Sequence, residues 1–206
     1  MTDLAVEHAV AARTLRDRSD AYAEEIRRLL DATFAVMRRT GELDPRVSDI
    51  VAESGLSNQA FYRHFQSKDE LLVAVLADGQ RQLVATLDER MRRVPAGAAR
   101  VRAWVEVVLA QARQPEAAAN TRPFAINGLR LADRFPAEWG GSRDELLAPL
   151  REAIGDAGGD PADADLVYHL AMGTMQEAVV RRRPPSDADV ARVVDAALRV
   201  VEVTGS

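Results

Sequence analysis

Apolar residues in this chain recur at intervals of three and four almost everywhere, and no stretch alternates convincingly with period two. An all-α fold is the one architecture that every segment can share. Tyr22, Ile26, Leu29, Leu30, Thr33 and Met37 make a first stripe, closed by Arg38, Arg39 and Gly41, a sequence suited to the negative carboxy end of a helix. Residues 1–19 carry no such stripe and are expected to form a mobile or partly helical arm. Asp44-Pro45 reads as the next helix start, because Asp can accept from the free amides and Pro has none to leave unpaired. This helix is expected to reach Ser54, with Gly55 breaking it and Ser57 capping another short helix that ends near His64. Ser67 with Glu70 three residues on has the capping-box pattern, and Leu72, Val75, Leu76, Gly79, Leu83 and Leu87 carry that fourth helix to about Arg93.

Pro95-Ala96-Gly97 ends the fourth helix, and a domain boundary is expected inside it, with a head at 20–76 and a second domain at 77–206. Val101, Trp104, Val105, Val108, Leu109 and Ala112 define a further helix closed by Pro115. Helices are expected at 121–135, 143–157, 162–183 and 186–203, the last two separated by Pro184-Pro185.

The chain has 206 residues and 47% hydrophobic content, enough for a buried core, and no apolar run long enough to span a bilayer. A cytoplasmic protein with no membrane partner is the expectation. There is no cysteine, so disulfides and thiol chemistry are out, and His8, His64 and His169 are the only imidazoles. No metal or cofactor is implied. The motifs G-x-S-x-G, G-x-G-x-x-G and H-E-x-x-H are missing, and no enzyme is expected.

The formal net charge is -5, and residues 20–80 hold seven cations against eleven acids. A protein that coats nucleic acid by bulk charge would look different. Yet the stretch from Ser57 to Lys68 holds Arg63 and Lys68 and no acid, and Lys68 is the only lysine of the chain. Phe61 and Phe65, four apart, can anchor a helix from one side, leaving Ser57, Asn58, Gln59, Ala60 and Tyr62 toward the other side and the leading turn. Amide side chains can read adenine, an alanine methyl can touch thymine, and hydroxyls reach phosphate.

The run VSDIVAESGLSNQAFYRHFQSKDELLVAVL resembles the amino-terminal DNA-binding domain of the TetR (TetR/AcrR) family of one-component bacterial regulators, over roughly Tyr22 to Leu76. The resemblance implies DNA contacts from Arg46, Ser57, Gln59, Ala60, Tyr62, His64 and Lys68, the last to phosphate; Asn58 joins them from its place on the exposed side of the helix, and Arg63 as a candidate phosphate contact. Pro45 stands where the family often has a hydroxyl residue, and Gln59 where it often has a small one. Packing against neighbouring helices is the alternative for Tyr62 and His64, and an acid partner the alternative for Arg63.

The same resemblance implies that the carboxy-terminal helices form a homodimer interface and a pocket for a small-molecule effector. Val190, Val193, Val194, Ala197, Leu198 and Val201 form an apolar seam expected at the interface, with packing inside the subunit as the alternative. Pocket candidates are Trp104, Phe124, Asn127, Tyr168, Met172 and Met175, of which the methionines give an adaptable wall. His169 reads as an interior or interface residue, and Arg181-Arg182-Arg183 as a basic helix end before Pro184. The expected function is therefore a dimeric repressor on a pseudo-palindromic duplex operator, released by an effector. The alternative is a dimeric ligand-binding helical protein without specific DNA binding.

Overall fold

The computed structural model describes the backbone of residues 2–204 and the side chains of residues 18–202. Among the described residues there are no strands, and the elements are α1 (Thr2–Thr40), α2 (Val47–Ser54), α3 (Asn58–His64), α4 (Lys68–Arg92), α5 (Ala98–Arg113), α6 (Pro115–Arg134), α7 (Pro136–Asp156), a 3₁₀ turn (Pro161–Asp163), α8 (Ala164–Arg181) and α9 (Asp187–Thr204). The residues up to Thr40 and Asp44–Val75 cluster as one compact unit, and Gly41–Leu43 and the chain from Leu76 onward as another. The division falls inside α4. The arm expected at 1–19 lies mostly outside the described side chains; its backbone from Thr2 is helical and continuous with α1.

In the first unit α1 packs on α2 and α3. Leu29, Thr33, Val36 and Met37 of α1 are buried, as are Ile50, Phe61, Phe65, Leu71, Leu72 and Val75. Thr33 satisfies its buried hydroxyl by donating to the Leu29 carbonyl at 2.6 Å. Gly55 takes a left-handed φ of 64°, ending α2, and the Arg28 guanidinium of α1 donates to the last α2 carbonyl, Ser54 O, at 2.6 Å. A Cβ on Gly55 would lie 3.2 Å from that guanidinium, so both the turn and its tether favour glycine.

The start of α2 corrects the expectation for Asp44-Pro45. The helix begins two residues later, with Arg46 in the N-cap position and no side-chain cap. Asp44 is engaged elsewhere and Pro45 is buried ahead of the helix. The capping box at Ser67 forms with one change: Ser67 Oγ accepts from Glu70 N at 3.2 Å, while Glu70 accepts from Gln66 N at 2.7 Å rather than from the Ser67 amide.

In the second unit α5 is the axis, packing against α6, α7, α8 and α9. Trp104 is fully buried and donates Nε1–H to the Leu146 carbonyl of α7 at 3.0 Å. Around it lie Leu147, Leu150 and Ile154 from α7, Val167, Ala171 and Met175 from α8, and Val194, Ala197 and Val201 from α9. Two helices start earlier than their expected positions at 121 and 143. Pro115 and Pro136 take first-turn positions where no amide is lost, Ala117–Ala119 supplies good helix formers to α6, and Gly140-Gly141 is carried inside α7 rather than breaking it. Gly159 in the loop after α7 is required by proximity, since a Cβ there would meet Val201 at 2.9 Å. No helix among the described residues is long and apolar enough to cross a membrane.

Candidate nucleic-acid interface

α2, the turn at Gly55 and α3 form a helix-turn-helix. Ser57 fixes the start of α3 by accepting from Ala60 N at 3.1 Å. From there the helical period divides the element cleanly. Ala60, Phe61, His64 and Phe65 face inward, whereas Ser57, Asn58, Gln59, Tyr62 and Arg63 are exposed. Two of the expected contacts lie on the buried side. Ala60 is only 6% exposed and the His64 side chain is 0% exposed, because both fall on the stripe that Phe61 and Phe65 anchor. Tyr62 is 60% exposed, so packing does not account for it, and Arg46 is exposed at the start of α2.

The inward stripe ends in a carboxylate that sequence reasoning missed. Glu25 of α1 accepts from Arg63 Nη2 and, at 2.5 Å, from His64 Nε2. The imidazole must carry its proton on Nε2 to make this bond, and its buried Nδ1 has no partner. Tyr22 lays its ring edge-on to the imidazole with centroids 4.3 Å apart. The two donors, His64 foremost, hold the Glu25 carboxyl below the usual carboxylate range. One acid thus ties the last turn of α3 to α1. Its 39-residue separation from His64 leaves no local signal in the sequence.

Lys68, the first residue of α4, has its ammonium 2.8 Å from Asp44 Oδ1, and both side chains are about a third exposed. That carboxylate oxygen makes no hydrogen bond, so the contact is an ion pair whose direction is not that of a donated proton.

Residues 29–75 match the family described as bacterial regulatory proteins, tetR family. Solved structures agree over most of the chain. A TetR-family transcriptional regulator from Streptomyces coelicolor superposes with a TM-score of 0.71 at 22% identity, over 89% of this chain and 97% of that one. The chain has the fold of a TetR-family transcriptional regulator. Salmonella enterica GusR is similar at a TM-score of 0.70 and 17% identity, over 87% of this chain and 96% of its own. A TetR-family regulator from Marinobacter aquaeolei gives a TM-score of 0.67 at 17% identity, over 90% and 97% of the two chains. No curated protein matches.

In the second unit of this TetR-family fold the expected pocket residues divide. Trp104 and Met175 are buried in the core. Phe124, Asn127, Tyr168 and Met172 are half-buried on α6 and α8, which pack together. Asn127 donates to the Pro123 carbonyl at 2.8 Å, Tyr168 lies 6.2 Å from Trp104 and 5.4 Å from the Arg143 guanidinium, and burial raises its phenol above the usual range. On α6 the side-chain atoms Asn120 Oδ1 and Arg122 Nε are buried without partners. A groove of about 320 Å³ at the α8–α9 turn is lined by charged residues including Arg181, Arg183 and Asp189, and by none of the pocket candidates. His169 is exposed rather than interior.

The expected interface seam is corrected in the same way. Val194, Ala197 and Val201 are 0–4% exposed within a single chain and have no surface to offer a partner. Val190, Val193 and Leu198 are half-buried beside them. The period of α9 turns its apolar residues onto α5 and α8, leaving Ala188, Ala191, Arg192, Asp195 and Arg199 outward. The outward stripe of α8 is the more apolar one: Leu166 and Val180 are 59% and 39% exposed, with Gly173 open between them.

Proposed function

We propose that the protein is a one-component transcriptional repressor which binds a pseudo-palindromic operator as a homodimer and is released by a small-molecule effector. The observation that carries this reading is the outward face of α3, where Ser57, Asn58, Gln59, Tyr62 and Arg63 stand exposed on a helix anchored from behind. Gln59 and Asn58 are the base readers, Ser57 and Tyr62 the groups that reach phosphate or base edges, and Arg46 and Lys68 flank them on the backbone, while Arg63 is held by its acid partner Glu25.

Two such heads meet successive major-groove faces only as a dimer, which is why a two-fold operator is proposed. The pairing surface is the outward stripe of α8 through Leu166, Gly173 and Val180, with half-buried Val190, Val193 and Leu198 of α9 at its margin. The effector site is placed between α6 and α8, walled by Phe124, Tyr168 and Met172, with Asn120 and Arg122 as polar groups that a ligand would satisfy. An effector that prefers the conformation unable to dock both heads weakens operator binding by its differential affinity. A protein acting on chromosomal DNA in this way works in the cytoplasm.

The test is a gel-shift titration of the full chain against the intergenic DNA upstream of its own gene, repeated at several salt concentrations. A sequence-selective complex that weakens as salt rises supports the reading. Absence of any such complex at micromolar protein sinks it.

A further inference from the structure

Asp44 is an acid of the head that takes no part in capping a helix. It does not cap α2, where Arg46 holds the N-cap position, and its buried Oδ1 makes no hydrogen bond; what it does face is the Lys68 ammonium, 2.8 Å away. Glu25 differs, since it ties two side chains of α3 to α1 and one of them is fully buried. With both partners about a third exposed, the Asp44–Lys68 pair is open to exchange with solvent ions.

We propose that Asp44 is an affinity-setting residue for DNA: an internal counter-ion that competes with backbone phosphate for the Lys68 ammonium, so that docking on any duplex exchanges a carboxylate for a phosphate. This rests on the DNA-binding reading of the head and deepens it. A free lysine that neutralises a phosphate releases a condensed counter-ion, which drives binding and gives it its salt dependence. A lysine that must leave Asp44 strands a carboxylate beside the duplex, and that carboxylate either collects a cation from solution or repels the phosphate. The net ion release at this contact is then less than one. In a head with seven cations against eleven acids over residues 20–80, withholding one of the few cations matters. Asp44 does not read sequence, so its effect falls equally on operator and unrelated DNA, setting how long the protein lingers at wrong sites.

The experiment compares the full chain with Asp44→Asn, Lys68→Ala, the double variant, and Asp49→Asn, an exposed α2 acid whose described contact is to Ser48. Each is titrated with an operator duplex and an unrelated duplex of equal length across a salt series. Asp44→Asn is expected to tighten both complexes about three- to ten-fold and to steepen the salt dependence by up to about one unit of slope. Asp49→Asn is expected to change them less than about two-fold, and the gain from Asp44→Asn to vanish in the Lys68→Ala background. Unchanged or weakened binding in Asp44→Asn overturns the proposal, as does a gain that survives loss of Lys68 or that Asp49→Asn matches. If the wild type, folded by circular dichroism, binds neither duplex, the DNA-binding reading itself fails. A measurement without DNA checks the pair directly. With lysine as the only ¹⁵N-labelled residue the chain has one ammonium signal, and Asp44→Asn must move it; a stationary signal means that the pair is not formed in solution and overturns the proposal.

Discussion

Gln59 and Lys68 sit nine residues apart and carry different kinds of information. Gln59 is exposed on α3, the helix proposed to read base edges, and Lys68 opens α4 with a point charge. Lys68→Ala is therefore expected to weaken binding to all duplexes alike and to flatten the salt slope, whereas Gln59→Ala should cost about 1–3 kcal/mol on the operator and change preference among operator variants. Parallel titrations of operator and scrambled DNA separate the two. At this scale the sequence was informative wherever a role depends on local spacing. Ser57 and Phe61 stand where their spacing puts them, one capping and one anchoring. It was silent where a role depends on a distant partner: Glu25 meets Arg63 and His64 only because α1 crosses α3, and Ala60 and His64, expected to face DNA, are buried on the inner side of α3.

Helix ends show the same division. Ser186 and Asp189 form a reciprocal cap on α9, with Asp189 accepting from Ser186 N at 2.9 Å and from its hydroxyl at 2.7 Å. These bonds, with Arg192, hold the Asp189 carboxyl at about 2, against 3.8 for a free aspartate. Because the folded value is the lower one, the stabilisation is present above about pH 4 and is lost as pH falls toward 2. Urea melts across that window are expected to show a smaller fall for Asp189→Asn than for the wild type. At the other end of the α8–α9 turn, Arg182 adopts a left-handed φ of 54° while Arg182 N and Arg183 N close the end of α8 on Val179 and Ala178. A side chain there costs about 1 kcal/mol, so Arg182→Gly is expected to raise stability by roughly that amount in thermal unfolding. Both ends of this turn were flagged by Arg181–Pro185 in the sequence. The starts of α6 and α7 were not, because Pro123 near the expected start of α6 and Gly140-Gly141 ahead of the expected start of α7 speak against helix locally and packing on α5 outweighs them.

Across the whole molecule the all-α class was legible from periodicity, and so was the existence of an apolar α9 seam. Which side of that seam meets water was not legible, since a helix sandwiched within a subunit and one at an interface share the same pattern. The distinction gives a prediction for assembly. Leu166→Glu combined with Val180→Glu is expected to yield folded monomers by light scattering and to abolish operator binding, whereas Val194→Glu should prevent folding by burying an unpaired charge. If the double variant stays dimeric, α8 is not the pairing surface.

The solitary lysine has one more consequence, for the bench. Reagents that seek side-chain amines have a single target in this chain, and it lies at the edge proposed to meet DNA. Coupling through amines to a sensor chip would tether the molecule either by Lys68, at the proposed DNA edge, or by its terminal amine, which leaves that edge open. Acylation of Lys68 would remove its charge and leave Asp44 without its cation, so a dye-labelled sample would differ from the native protein in the very contact being measured. Immobilising the duplex and flowing the unmodified protein avoids the artefact, and the difference between the two formats becomes a footprint of Lys68.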